Sequence, residues 1–227
     1  MMMHKKKNLI IYGDSSYAEL LAHYFQTDSE YQVVAYCVDE AYRTRKEIDG
    51  LPVVALEKIE EHFSSEEHHI FAAIGYKSVR THKRLFEKIA ALSYPVASYI
   101  STQAIVDSRC KIGINCLILP GVILEPDTVI EENCFINSGA TVCHHALIKA
   151  HSVLAAGSLI GGYTTVGESS LIGFHATVAE LVQVASETLV GAGSIVLKNT
   201  DKCTLYVGSP ARPIRTHEDT GILLVAK

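Results

Sequence analysis

The stretch Ile130-Glu131-Glu132-Asn133-Cys134-Phe135-Ile136-Asn137-Ser138-Gly139-Ala140-Thr141-Val142-Cys143-His144-His145-Ala146-Leu147-Ile148 sets an aliphatic residue at every sixth place: Ile130, Ile136, Val142 and Ile148. Followed outward in both directions, the series runs without a slip from Ile100 to Val196, seventeen positions in all. Four residues after each of the first sixteen stands Ala, Cys, Val, Thr or Ser, as at Ala104, Cys110, Thr128, Ala140, Ser158 and Ser194. A period of six fits neither a 3.6-residue helix nor a hairpin meander. It fits a triangular parallel β-helix in which each short strand is one wall, the aliphatic points inward and the small residue fits where walls converge. At three walls per coil, seventeen positions make between five and six coils. With strands about 4.8 Å apart, the prism is roughly 25 Å tall.

Upstream of Ile100 the rhythm changes. Asn8–Tyr12 reads as a buried strand punctuated by Gly13, and Ser15 or Ser16 caps a helix running to about Phe25. Val33–Val38 is a second strand ending at Asp39, a segment near Pro52 leads to a short helix over 56–63, His69–Gly75 is another strand, and 78–92 is a helix. Strands alternating with helices predict a small, Rossmann-like parallel α/β domain. The expected division is therefore an α/β domain over 1–99, a β-helix over 100–197 and a tail over 198–227.

The composition narrows the function classes. Hydrophobic residues make up 48% of the 227 positions, ample for a core, and a net charge of −5 gives no nucleic-acid surface. Lys5-Lys6-Lys7 is a short basic run that reads as a solvated tail. The apolar stretch Leu9–Tyr12 is too short for a signal-peptide core or a membrane span, so a cytoplasmic protein is expected. Cys110, Cys116 and Cys134 fall on the small-residue position of the repeat and are expected to be inert buried thiols. Gly13 is the sole glycine of its loop, so a nicotinamide cofactor is not expected.

His144 and His145 fall two and three residues after Val142, at a corner of the repeat and outside the core. A neutral imidazole there can take a proton from an attacking amine or hydroxyl. The run Phe135–His145 resembles the Asn-Thr-Gly-Ala-x-Val-x-His-Asp/Glu signature of bacterial hexapeptide-repeat sugar acyltransferases. The subgroup includes the nucleotide-amino-sugar N-acetyltransferases of bacillosamine and perosamine pathways and the sialic acid O-acetyltransferases. Ile10–Ala18 is similar to that family's glycine-rich N-terminal loop, Val38-Asp39-Glu40 to its acidic pair, and Gly191–Ser194 and Gly208–Arg212 to its closing motifs.

The resemblance implies a left-handed prism, a homotrimer with active sites between neighbouring prisms, acetyl-CoA as acyl donor, no metal, and a role in surface-glycan biosynthesis. It assigns His144 as general base, with His145 and Asn137 beside it in the catalytic set. Gly162, Phe174 and Ala192 match coenzyme-lining positions. Ser15, Ser16, Tyr17, Asp39 and Glu40 match acceptor-binding positions. Two departures stand out. His145 occupies the place of a carboxylate that would orient the base, and Asp14-Ser15-Ser16-Tyr17 replaces small residues, glycine and histidine. Corner N–H groups are expected to hold the oxyanion. Three other readings are sugar O-acetylation, a coenzyme-binding relative with impaired catalysis, and a trimeric zinc lyase of the γ-carbonic-anhydrase type using His144, His145, His151 and His175, of which His151 and His175 are expected on the groove or surface.

Overall fold

The computed structural model describes residues 6–75 and 78–217. The described chain divides into two compact units, one holding residues 6–75 and 84–98, the other 78–83 and 99–217. Residues 218–227 of the expected tail, and Lys5 of the basic run, lie outside the described residues.

The first unit contains β1 (Lys7–Tyr12), α1 (Ser16–Thr27), β2 (Tyr31–Val38), β3 (Glu47–Ile48), β4 (Leu51–Ala55), α2 (Ile59–His62) and β5 (His68–Ala72). Its sheet order is β3-β4-β2-β1-β5, parallel except for β3. Leu9, Ile10 and Ile11 of the central β1 are fully buried, as a parallel strand covered on both faces requires. Ser15 is the residue that caps α1. The chain leaves β1 in one direction and returns at β5 on the other side, so the carboxyl ends of these strands form the switch point where open α/β sheets bind ligands. Gly13 sits there with φ +129°, and a Cβ on it would lie 2.9 Å from the Ala73 carbonyl oxygen. The β3–β4 hairpin was not expected; it turns on Asp49 and Gly50, both with positive φ, the type I′ signature.

The second unit is the left-handed parallel β-helix. Seventeen two-residue strands, β6 (Tyr99–Ile100) to β22 (Ile195–Val196), each supply one wall segment. Each pairs with the strand eighteen residues away, so Phe135 lies between Leu117 and Val153. Wall one presents Tyr99, Leu117, Phe135 and Val153 on its outer side, wall two Ile105, Ile123, Thr141, Leu159, Thr177 and Ile195, and wall three Lys111, Val129, Leu147, Thr165 and Gln183. From Ile118 to Val196 every sixth-position aliphatic is buried. Ile100 is 44% exposed, and Val106 and Ile112 are half-buried, because the first coil has no coil beneath it.

The small residues do more than fit. Thr128 Oγ1, Ser152 Oγ, Thr164 Oγ1 and Ser170 Oγ each donate to the carbonyl fifteen residues on, and the thiols of Cys110, Cys116 and Cys134 do the same at 3.1–3.2 Å. These hydroxyls are therefore satisfied in the corner of the core, whereas Ser158 Oγ, at the same place in the repeat, is buried with no partner among the described residues. Burial pushes the Cys116 thiol up to about 12 and Cys134 further, which keeps both inert.

From Asn115 to Gly193 each corner passes through one residue of positive φ. After wall one these are Gly121, Gly139, Gly157, His175 and Gly193; after wall two Asp127, His145, Tyr163 and Leu181; after wall three Asn115, Asn133, His151, Ser169 and Glu187. The left-handed conformation costs roughly 1–2 kcal/mol at a non-glycine residue. It persists because the corner N–H donates to the coil below, as from His145 to Pro126 O and from Tyr163 to His144 O. Beyond the last coil, β23 (Thr204–Gly208) extends wall one in parallel and β24 (Ala211–Thr216) folds back on it.

Candidate active site

His144 and His145 form the corner after the wall-two strand Thr141–Val142. Three hydrogen bonds pin this peptide. The His144 N–H donates to Glu125 Oε2 (2.8 Å), the His145 N–H to Pro126 O (3.1 Å), and His144 O accepts from the Tyr163 N–H (3.1 Å). The His144 ring lies against Gly162. A Cβ on that glycine would come within 2.9 Å of Cε1 and 3.2 Å of Nε2. His144 Nδ1 is 3.2 Å from His145 Nδ1, so Nε2 is the nitrogen left for chemistry. His145 stacks on Tyr163 at 4.6 Å and 19°, and Tyr163 meets His144 edge-on at 5.3 Å. Both histidines are exposed.

The corner N–H groups are mostly consumed, contrary to expectation: those of Cys143 and His145 bond to carbonyls of neighbouring coils and that of His144 to the Glu125 carboxylate. The Gly162 N–H has no partner among the described residues. The Cys143 thiol is raised by burial and then by Glu125, which makes it a poor nucleophile.

Asn137 lies at a different corner, after wall one. Its Nδ2 donates to Leu154 O at 2.9 Å and its side chain is buried. Phe174 and Ala192 share that corner two and three coils on, and with Gly173, Gly191, Leu205 and Arg215 they line a cleft of about 330 Å³. Within one chain, then, wall two separates Asn137, Phe174 and Ala192 from His144, His145 and Gly162.

The remaining histidines do not converge with this pair. His175 is at the first corner, exposed, with its ring over Gly157. His151 is at the third corner and buried, not on the surface as expected. Asn133 Nδ2 donates to its Nδ1 at 3.1 Å, Asn115 Nδ2 donates to Asn133 Oδ1, and His82 on the first turn of α3 (Val79–Ala90) meets Asn133 O. Burial pushes the His151 imidazole down to about 4. The imidazoles of the zinc reading thus occupy three separate corners.

The acceptor candidates gather at the carboxyl ends of β1 and β2. Ser15 Oγ accepts from the Ala18 N–H, Ser16 opens α1 and is exposed, and Tyr17 is half-buried. Asp39 is already engaged: Tyr12 Oη and Lys88 Nζ each lie 2.8 Å from its Oδ1. Burial pushes its carboxyl up, but the hydrogen bonds from Lys88 and Tyr12 outweigh burial and hold it below the usual range. Glu40 grips the Arg43 guanidinium through both oxygens at 2.9 and 3.0 Å. Tyr12 and Lys88 escaped the sequence reading, as did Glu125, Asp127 and Tyr163 at the histidine corner; eighteen-residue spacing would have put Asp127, His145 and Tyr163 in one column.

Residues 8–89 match the PglD N-terminal domain family, and residues 98–202 match the GMPPB C-terminal domain family. The chain has the fold of the hexapeptide-repeat sugar acyltransferases. The acetyltransferase domain of PglB from Neisseria gonorrhoeae, solved with acetyl coenzyme A, superposes on this fold with a TM-score of 0.81 at 23% identity, over 92% of this chain and 100% of that one. PerB from Caulobacter crescentus, solved with CoA and GDP-perosamine, gives 0.81 at 24% over 92% and 97%. WeeI from Acinetobacter baumannii gives 0.61 at 19% over 92% and 100%. No curated protein matches the chain in sequence. Among the described residues no helix is long and apolar enough to cross a membrane.

Proposed function

We propose that this chain is an acetyl-CoA-dependent N-acetyltransferase that acts on the amine of a nucleotide-linked amino sugar, as a cytoplasmic homotrimer. The observation that carries the reading is the His144 imidazole seated on Gly162 with Nε2 unengaged. The acceptor's neutral amine attacks the thioester carbonyl, His144 Nε2 takes the proton that the nitrogen sheds, and the imidazolium returns it to the departing thiolate. The Gly162 N–H beside the ring is the donor for the carbonyl oxygen as charge develops. Phe174 and Ala192 line the trough for the coenzyme; Ser15, Ser16, Tyr17, Asp39 and Glu40 at the strand ends of the α/β domain take the nucleotide sugar. The relatives solved with acetyl coenzyme A and with CoA and GDP-perosamine support this choice of donor and acceptor class.

The two corners support a site shared between copies, as in the proposed trimer. A complete site needs both His144 and the Asn137–Phe174–Ala192 edge, which lie on either side of wall two in one chain. Wall two's outer face is also the bare apolar one: Ile105, Leu159 and Ile195 are exposed, flanked by Tyr163 and Leu181. A neighbouring prism set against this face brings its own first corner to the histidine pair.

The test is a coenzyme-A-release assay with acetyl-CoA against GDP-, UDP- and dTDP-linked 4-amino-4,6-dideoxy sugars. Turnover of one of them, abolished in His144→Ala, is the expected result. No release with any amino sugar, or full activity in His144→Ala, overturns the reading.

A further inference from the structure

The base has a histidine where a carboxylate would orient it, yet a carboxylate stands one coil away. His145 Nε2 lies 3.5 Å from Asp127 Oδ2. We propose that His145 bridges His144 to Asp127, so that Asp127 and His145 are positioning residues for the base; this rests on the acetyltransferase reading above.

The tautomers follow from the contacts. For His144 Nε2 to accept a proton, its Nδ1 must carry the hydrogen. That N–H donates across 3.2 Å to His145 Nδ1, which must then be the unprotonated nitrogen. His145 accordingly carries its hydrogen on Nε2 and presents it to Asp127. With both rings neutral, this assignment alone satisfies the two contacts, and it is the one catalysis needs. During transfer the acceptor's proton comes to rest on His144 Nε2 and the Nδ1–H stays where it was. The new positive charge on His144 is felt by the carboxylate through one neutral ring.

The backbone builds the bridge. Asp127, His145 and Tyr163 hold the same corner position on successive coils, with φ of 63°, 60° and 56°. Their side chains therefore leave the prism in register, Asp127 meeting the edge of the His145 ring while Tyr163 covers its face. The other charges at this corner are accounted for. Glu125 accepts the His144 backbone N–H, and Arg109 lies 3.4 Å from the Asp127 carboxylate and 3.5 Å from Asp107. Glu125 is thus occupied with the backbone, and Asp127 Oδ2 faces both the Arg109 guanidinium and the His145 ring.

The experiment is an epistasis test with a spectroscopic arm. In the parent protein, Asp127→Ala lowers kcat about 10- to 50-fold with KM for acetyl-CoA within about twofold, on the scale of the loss when the outer partner of a metal-bound histidine is removed. Asp127→Asn, which still accepts the Nε2–H but carries no charge, falls between. His145→Glu places a carboxylate directly on His144, and Glu187 demonstrates that this corner conformation accepts glutamate. In that background Asp127→Ala changes kcat less than about twofold. Equal losses in both backgrounds, or no loss in the parent while His144→Ala is dead, overturn the relay and leave the acetyltransferase reading standing. If no acceptor turns over, nitrogen-15 imidazole spectra of the full-length protein still decide: Nδ1–H on His144 and Nε2–H on His145, with the pattern lost in Asp127→Ala, supports the bridge, and any other pattern ends it.

Discussion

Gly162→Ala tests the seat of the base. The added Cβ would stand 2.9 Å from His144 Cε1, 3.2 Å from Nε2 and 3.3 Å from Nδ1. Ordinary contact between carbon atoms is about 3.5–4.0 Å, so the ring must withdraw by roughly 0.6–1 Å. It is free to do so, because the other side of the imidazole is exposed and its hold is the contact with His145 and the edge of Tyr163. A displacement of about 1 Å in a reacting group costs on the order of a hundredfold, so kcat should fall about 10- to 100-fold. Stability should hardly move, since Gly162 is not among the residues of positive φ and the clash is with a side chain that can yield. Steady-state coenzyme A release, a thermal melt and calorimetric titration of coenzyme A separate these effects. The control is Gly167→Ala, whose Cβ would lie 2.5 Å from the Ser186 backbone nitrogen and 2.6 Å from the Ala185 carbonyl carbon. Backbone in the next coil cannot retreat, and overpacking of this kind costs about 1–3 kcal/mol or more. That variant should melt several degrees lower. Wild-type kcat in Gly162→Ala, or a loss confined to coenzyme A affinity, would show that His144 does not work from this seat.

Three further outcomes follow from the same structure. His151 stays neutral in the fold down to about 4, whereas an unfolded histidine charges below about 6.5. Below that value the unfolded chain binds a proton that the fold refuses, so stability is full above pH 6.5 and declines as pH falls toward 4, by at most about 3 kcal/mol. His151→Asn, which suits the left-handed corner and extends the Asn115–Asn133 ladder, should flatten that slope in urea melts between pH 4 and 7; an unchanged slope assigns the acid sensitivity elsewhere. Leu159→Arg sets a charge on the bare face of wall two and should give monomers by light scattering, with activity lost in step; an active monomer refutes the shared site. Phe174→Ala should raise KM for acetyl-CoA about fivefold or more by removing a ring that the cleft presents to the ligand, with kcat little changed; an unchanged KM removes Phe174 from the coenzyme trough.

The prism was legible because its determinant is one-dimensional. A six-residue period states which side chains point inward, and Ile118 to Val196 obey it. The strands of the α/β domain were legible for a similar reason, since Leu9-Ile10-Ile11 and Ile70-Phe71-Ala72 are continuous apolar runs. The β3–β4 hairpin was missed because β3 is a two-residue strand outside any repeat that would give it a pattern, although Asp49-Gly50 held its turn signal. The site was legible only in part. His144 was found by a resemblance, but its partners depend on contacts eighteen residues away, which the period contains and a linear reading overlooks. His151 was misplaced because corner positions look alike in sequence, and what covers a corner does not appear in the repeat.

That last point separates two histidines in the same backbone conformation. His145 and His151 both sit at positive-φ corners, each stacked eighteen residues above a polar side chain, Asp127 in one column and Asn133 in the other. In the third column the residue below is an amide that donates to the ring, and the first turn of α3 brings His82 to the Asn133 carbonyl and Lys83 to Glu168. Burial and the neighbouring cation both disfavour a second proton, so that imidazole is fixed as a neutral acceptor. In the second column the residue below is a carboxylate that can only accept, the ring is half-exposed, and its other nitrogen faces a second imidazole. A charge arriving there is stabilised rather than excluded. The coil supplies the same left-handed corner to both, and the sign of the neighbour together with access to water sets the two imidazoles apart.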